Sequence, residues 1–203
     1  MVSRGKSVFF LVLFMFFFWV SSAPASETSP RQTVEKLLDA IRGLKIENKL
    51  SPERQKMNQE LSLRALEMLD LQEVSRKALG KHWSKRTPKE QNGFVKLLSR
   101  MFVQEAFPNS GKFFSDLKLV YGKTRIKKSK ALVPLTVVHQ EEGEIAIDFH
   151  LYKNGGGWQV TDVDLDEISM RNNLRSQFYK IIDKNDYQDL VRRMEAKLQE
   201  IKS

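Results

Sequence analysis

Apolar residues in this chain change their spacing twice, and that pattern limits the fold more than any other feature of the sequence. From Val34 to Phe102 they recur at intervals of three and four, as on amphipathic helices. From Leu117 to Leu165 they alternate with polar residues at a period of two, as on half-buried strands. From Ile168 to Ile201 the helical spacing returns. Consecutive strands flanked by blocks of helix predict an α+β fold, with an antiparallel sheet and the helices gathered on one side. An alternating βα order, which would build a parallel sheet, is excluded.

Local signals divide the helical blocks. Ser29-Pro30 starts one helix, carrying Val34, Leu37, Leu38, Ile41 and Leu44. Ser51-Pro52-Glu53 starts a second, running to about Leu69, and Leu71–Leu79 forms a short third that ends at Gly80. Thr87-Pro88-Lys89-Glu90 is a capping box with proline at the first helical position. Behind it Phe94, Leu97, Leu98, Met101 and Phe102 make a wide apolar stripe. Four strands are expected: Leu117–Tyr121, Val133–Val137, Ile145–Leu151 and Trp158–Leu165. Glu141-Glu142-Gly143 and Asn154-Gly155-Gly156-Gly157 supply turns. The apolar positions of the last strand change phase between Val160 and Val163, which predicts a bulge.

The first 25 residues stand apart from this pattern. Arg4 and Lys6 precede an uninterrupted apolar run, Val8–Val20, and Ala23-Pro24-Ala25 follows. A positive start, a short apolar run and an A-x-A exit read as a cleavable signal peptide, with cleavage after Ala25. The run falls short of the roughly 20 residues that a spanning helix needs. Residues 26–203 are then expected to form one domain, exported to a bacterial periplasm. The chain has no cysteine among its 203 residues, which removes disulfide frameworks, thiol catalysis and cysteine metal sites, and also fits a periplasm better than a eukaryotic extracellular space.

Catalytic constellations are scarce. His82, His139 and His150 lack metal-ligand spacing, and no nucleophile elbow, P-loop or dinucleotide fingerprint occurs. Asp162, Asp164, Asp166 and Glu167 lack the spacing of an EF-hand and read as a solvated helix start. Lys123, Arg125, Lys127, Lys128 and Lys130 gather at the first sheet turn. They suit docking to anionic headgroups or an acidic protein face, and equally a lysine-rich edge that blocks aggregation.

The ordered words Leu71–Trp83, Thr87-Pro88 with Phe94, Gly156-Gly157-Trp158-Gln159-Val160, Asp162-Val163, Ile168-Ser169-Met170 and Asn172–Phe178 resemble MlaC-type proteins, also called toluene-tolerance proteins. The resemblance runs from roughly Pro30 to Lys197. Two departures stand out, because family members often carry glycine where Glu167 stands and an aromatic where Leu174 stands. The resemblance implies a curved antiparallel sheet of about four strands and several helices around an apolar lipid cavity, with no catalytic residue, metal or resident cofactor. It implies phospholipid as cargo, carried between an outer-membrane lipoprotein–porin complex and an inner-membrane ABC transporter with a substrate-binding ring, and so a role in outer-membrane lipid asymmetry. Nucleic acid is not an expected partner.

On that footing the expected cavity wall is Leu97, Leu98, Met101, Phe102, Val133, Leu135, Val137, Ile145, Ile147, Phe149, Val160 and Ile168. Two other readings stay open from the residues alone. One is a cone-shaped α+β enzyme acting on small apolar substrates, with His150 or Asp148 in the cavity. The other is a periplasmic adaptor with a solid core.

Overall fold

A computed structural model describes residues 28–47, 49–139 and 143–201. The expected signal segment and the Glu141-Glu142 part of the second sheet turn lie outside the described residues. The order of elements is α1 (Pro30–Arg42), α2 (Pro52–Glu67), α3 (Leu71–Leu79), a 3-10 turn (Gly80–His82), α4 (Pro88–Met101), a π-helical turn (Phe102–Ala106) and α5 (Phe107–Phe114). Six strands follow, β1 (Lys118–Tyr121), β2 (Arg125–Lys127), β3 (Lys130–His139), β4 (Gly143–Asn154), β5 (Gly157–Leu165) and β6 (Ile168–Ser169), then α6 (Met170–Lys184) and α7 (Tyr187–Glu200). The fold is α+β, as the change of period implies. None of the described helices is long and apolar enough to cross a membrane.

Helix starts follow their capping chemistry. Ser29 Oγ accepts from the Gln32 N–H while Gln32 Oε1 accepts from the Ser29 N–H, a complete capping box. Thr87 and Glu90 make the same reciprocal pair. The π turn had no signature in the apolar spacing. The Phe107 N–H reaches the Phe102 carbonyl, five residues back. Pro108, next in line, has no N–H, and its ring would crowd the preceding turn of an ordinary helix. A wider turn just before it relieves that crowding.

The sheet is open and antiparallel, in the order β1-β3-β4-β5-β6, with β2 also paired to β3. It therefore has six strands where four were expected; the additions are the three-residue β2 and the two-residue β6, both too short to show a period. The long β3–β4 ladder sets Val133 opposite Phe149, Leu135 opposite Ile147 and Val137 opposite Ile145. Between β4 and β5 the register shifts: Leu151 pairs with Val160, but His150 pairs with Asp162. Thr161 is the extra residue, so Val160 and Val163 both face inward although their spacing is odd. This is the bulge that the phase change predicts.

Two apolar clusters result. One joins α1, α5 and the inner sheet face through Val34, Leu37, Leu38, Ile41, Phe107, Val133, Leu135 and Ile147. The other joins α3, α4, α6 and α7 through Leu79, Phe94, Leu97, Phe178, Leu190 and Leu198. α2 stays at the edge, with only Ser62 and Ala65 buried.

Candidate functional site

Between these clusters lies a cleft of about 590 Å³, within the range of roughly 300–1,000 Å³ common for small-molecule sites. One wall is the inner face of β4 and β5: Ile147, Phe149, Val160, Val163 and Leu165. α1 contributes Leu37, Leu38 and Ile41. The continuous run from α4 through the π turn into α5 contributes Leu98, Met101, Phe102, Phe107, Phe113 and Phe114. α6 closes the ring with Met170 and Leu174. The lining is overwhelmingly carbon. Its polar members include Asn109, Asn173 and Gln177, all exposed, which mark a mouth between α5 and α6.

The π turn belongs to this geometry. Phe102, Glu105 and Ala106 come from it, and all three line the cleft. Phe102 meets Phe107 edge-on at 5.7 Å between ring centroids, so the wider turn is packed from within the wall.

Of the twelve expected wall residues, the structure brings six to the cleft: Leu98, Met101, Phe102, Ile147, Phe149 and Val160. The other six lie elsewhere. Leu97 points into the second cluster, among α3, α6 and α7. Val133, Leu135 and Val137 share the inner sheet face but sit beneath α1, fully buried in the first cluster. Ile145 packs at the margin of that cluster. Ile168 is 60% exposed on β6. Sequence reasoning also passed over α5, whose Phe107 and Phe114 lie about two turns apart on one side, with Phe113 next to Phe114. Their spacing was the available signal.

Behind β4 and β5 lies a second recess, of about 690 Å³ and largely polar. Its acidic side chains are already engaged. Arg76 Nε donates to Glu73 at 2.7 Å, and that bond holds the Glu73 carboxyl below the usual carboxylate range. His150 Nε2 lies 2.7 Å from Asp164 Oδ2. Asp162, buried, accepts from the Ser169 hydroxyl at 2.6 Å and from the Arg171 and Val163 backbone N–H groups, and its other charge partner is the Arg171 guanidinium at 3.2 Å. Asp162, Thr161 and Arg171 line both cavities, so these three residues form the partition between them.

The acids near the last strand therefore serve separate neighbours. Asp166 Oδ1 accepts from the Ala146 N–H at 3.1 Å, Asp164 faces His150, and Asp162 caps the start of α6. Among the described residues, no three His, Cys, Asp or Glu side chains converge in a way that could hold a metal ion. The enzyme reading placed His150 or Asp148 in the apolar cavity, and this is corrected. Both alternate with Ile147 and Phe149 along β4, so they lie on its other face.

The β5–β6 hairpin bears on one departure, at Glu167, from the MlaC-type pattern that the sequence resembles. Asp166 and Glu167 turn the chain from β5 to β6 with φ of 45° and 67°. Consecutive left-handed residues are what a tight two-residue hairpin requires, and glycine fills the second position at least cost. Glu167 adopts that backbone without the relief.

A family model described as "MlaC protein" matches residues 31–196 of the chain. No curated protein matches it. Among solved structures, a phospholipid-binding protein from Ralstonia solanacearum in complex with a phospholipid is similar, with a TM-score of 0.68 and 18% identity over 85% of this chain and 96% of that one. At that identity the likeness speaks to the fold.

Proposed function

The chain belongs to the MlaC family, and from that premise we propose that it is a phospholipid carrier whose acyl chains lie in the cleft between β4–β5, α1, α4–α5 and α6. The observation that carries this reading is the lining itself, a cleft of about 590 Å³ walled by aliphatic and aromatic side chains and opening at polar, exposed residues. Each methylene moved from water into such a wall gains about 0.8 kcal/mol. An acyl chain therefore repays much of the cost of leaving a bilayer, and the site needs shape and apolarity, not acids and bases. The headgroup would remain at the mouth, near Asn109, Asn173 and Gln177. The phospholipid bound by the similar Ralstonia protein favours the same class of cargo.

The finer reading is a periplasmic shuttle, exported on residues 1–25. It carries lipid between an outer-membrane lipoprotein–porin complex and an inner-membrane ABC transporter with its substrate-binding ring, and so maintains outer-membrane lipid asymmetry. The role is binding and transport, with lipid as cargo and no chemistry performed on it. Native mass spectrometry of protein purified from a Gram-negative periplasm tests the core of the proposal. Phospholipid retained in a defined ratio is the expected result. Empty protein that also takes up no labelled lipid from vesicles would return the adaptor reading to first place.

A further inference from the structure

We propose that the β2–β3 hairpin docks this protein on an anionic lipid surface. The inference stands on the hairpin alone and does not depend on what fills the cleft. Residues 117–140 carry six cations and no acid. Five of them, Lys123, Arg125, Lys127, Lys128 and Lys130, fall on the hairpin and its approach, and among the described residues none of the five has an ion-pair partner. Several arginines elsewhere are paired: Arg31 with Glu35, Arg54 with Glu47, Arg76 with Glu73, Arg100 with Glu195, and Arg192 and Arg193 with Asp189. Lysines elsewhere, Lys180 and Lys184 among them, also lack such partners, and what sets the hairpin apart is density: five cations and no acid within residues 123–130.

Apolar side chains accompany that charge. Ile126, between Arg125 and Lys127, is 59% exposed. On the opposite face of the same end of the sheet, Tyr152 pairs with Lys130 and is 43% exposed. A tip with an aliphatic chain on one face, an amphipathic ring on the other and cations around both suits the headgroup layer. There the apolar groups enter the acyl boundary and the lysines reach phosphate. The tip is also held in shape. Its turn runs through Lys128 at φ 55°, and the Lys153 N–H donates to the Ser129 carbonyl at 2.8 Å. An acidic protein face is the weaker partner, since a stable protein contact buries about 800 Å² on each side and a three-residue strand presents a narrow ribbon.

Flotation of the protein with vesicles tests the proposal, using phosphatidylcholine alone and an equal mixture of phosphatidylcholine and phosphatidylglycerol. The protein should float only with the anionic vesicles and should be released by salt. Lys127→Gln with Lys128→Gln should weaken binding about thirtyfold, from ~1 kcal/mol per cation at an anionic surface. Ile126→Ser should weaken it about tenfold or more. The charge-matched pair Lys180→Gln with Lys184→Gln, on α6, should leave binding within about twofold. All of these positions are exposed, so the fold is not at risk. Equal loss from the α6 pair, or no preference for anionic vesicles, would overturn the proposal. So would hairpin-dependent binding to polyglutamate without binding to vesicles, which would install an acidic protein as the partner. Protein that floats yet carries no lipid would defeat the carrier reading and leave this one intact.

Discussion

The two apolar clusters are built from similar residues yet finish differently. In the cluster of α3, α4, α6 and α7, the Phe94 ring meets Phe178 edge-on at 5.7 Å and lies tilted beside Tyr187 at 6.2 Å, and the space closes. Between it and the cluster of α1, α5 and the sheet, equally apolar walls leave about 590 Å³ open. α4 serves both: Leu97 lies in the closed region alone, while Leu98 and Met101 pack there and also line the cleft. Backbone strain is distributed in the same uneven way. In the closed region the left-handed position is Gly80, with φ 45°, where any Cβ would collide with the Tyr179 hydroxyl that accepts the Lys81 N–H. At the cleft's rim the left-handed positions are Asp166 and Glu167. The closed half fills its space with rings and aliphatic chains, while the open half holds both a void and a strained turn.

The largest effect expected from breaking this contrast is at Phe94. Phe94→Ala removes a ring that is 1% exposed and should cost about 3–5 kcal/mol. Thermal unfolding should fall by roughly 10 °C or more. Lipid per folded chain should not change, because the void opens on the far side of α4. A parallel fall in bound lipid would mean that the two regions act as one.

A matched pair sharpens the comparison. Leu97→Trp overpacks the closed cluster and should cost about 1–3 kcal/mol with lipid content unaffected. Met101→Trp, on the same helix, places its bulk in the cleft. There the delipidated protein should melt close to the parent temperature, while bound lipid falls several-fold. Destabilisation by Met101→Trp with full lipid content would show that Met101 is ordinary core.

The same contrast marks how far the sequence could be read. Strand period correctly assigned faces, and the odd step from Val160 to Val163 disclosed the Thr161 bulge. Period does not say which stretch of a face meets a helix. Val133 and Leu135 were therefore grouped with Phe149 and Ile147, although α1 covers the first two and the cleft bathes the others. Leu97 and Leu98 are adjacent on one wide stripe and share the closed cluster, and only Leu98 also reaches the cleft. The π turn left no trace beyond Pro108. A void, finally, is a property of what the walls fail to do together, so no single residue announces it. The family resemblance supplied that expectation.

A smaller change tests the strain at the rim. Glu167→Gly should relieve about 1 kcal/mol of left-handed backbone cost and raise the melting temperature by about 2–4 °C. The side chain is exposed and has no hydrogen-bond or ion-pair partner among the described residues, so little is lost in exchange. An unchanged or lower melting temperature would show that the carboxylate holds the turn in a way that offsets its strain.

The smallest effect expected is a pH dependence at the edge of the closed region. His82 is buried, meets Tyr179 edge-on at 4.8 Å, and its Nε2 has no hydrogen-bond partner. Burial first, then the neighbouring Lys81, holds its pKa below the ordinary 6.5, with Lys85 and Arg86 adding to this; Asp183, 3.5 Å away, opposes the shift without cancelling it. Because the unfolded chain binds this proton more readily, stability is full above about pH 6.5 and declines as pH falls from there toward the depressed folded value. Glu73 and Asp189, held low by Arg76 and Arg193, lose their contributions only at more acidic pH, so the His82 window can be read separately. His82→Phe keeps a ring against Tyr179 and cannot take up a proton. Between about pH 6.5 and pH 5 its melting temperature should decline less steeply than the parent's. Equal slopes would mean that opening at this edge lets His82 protonate without cost, and that the closed half is looser there than its packing implies.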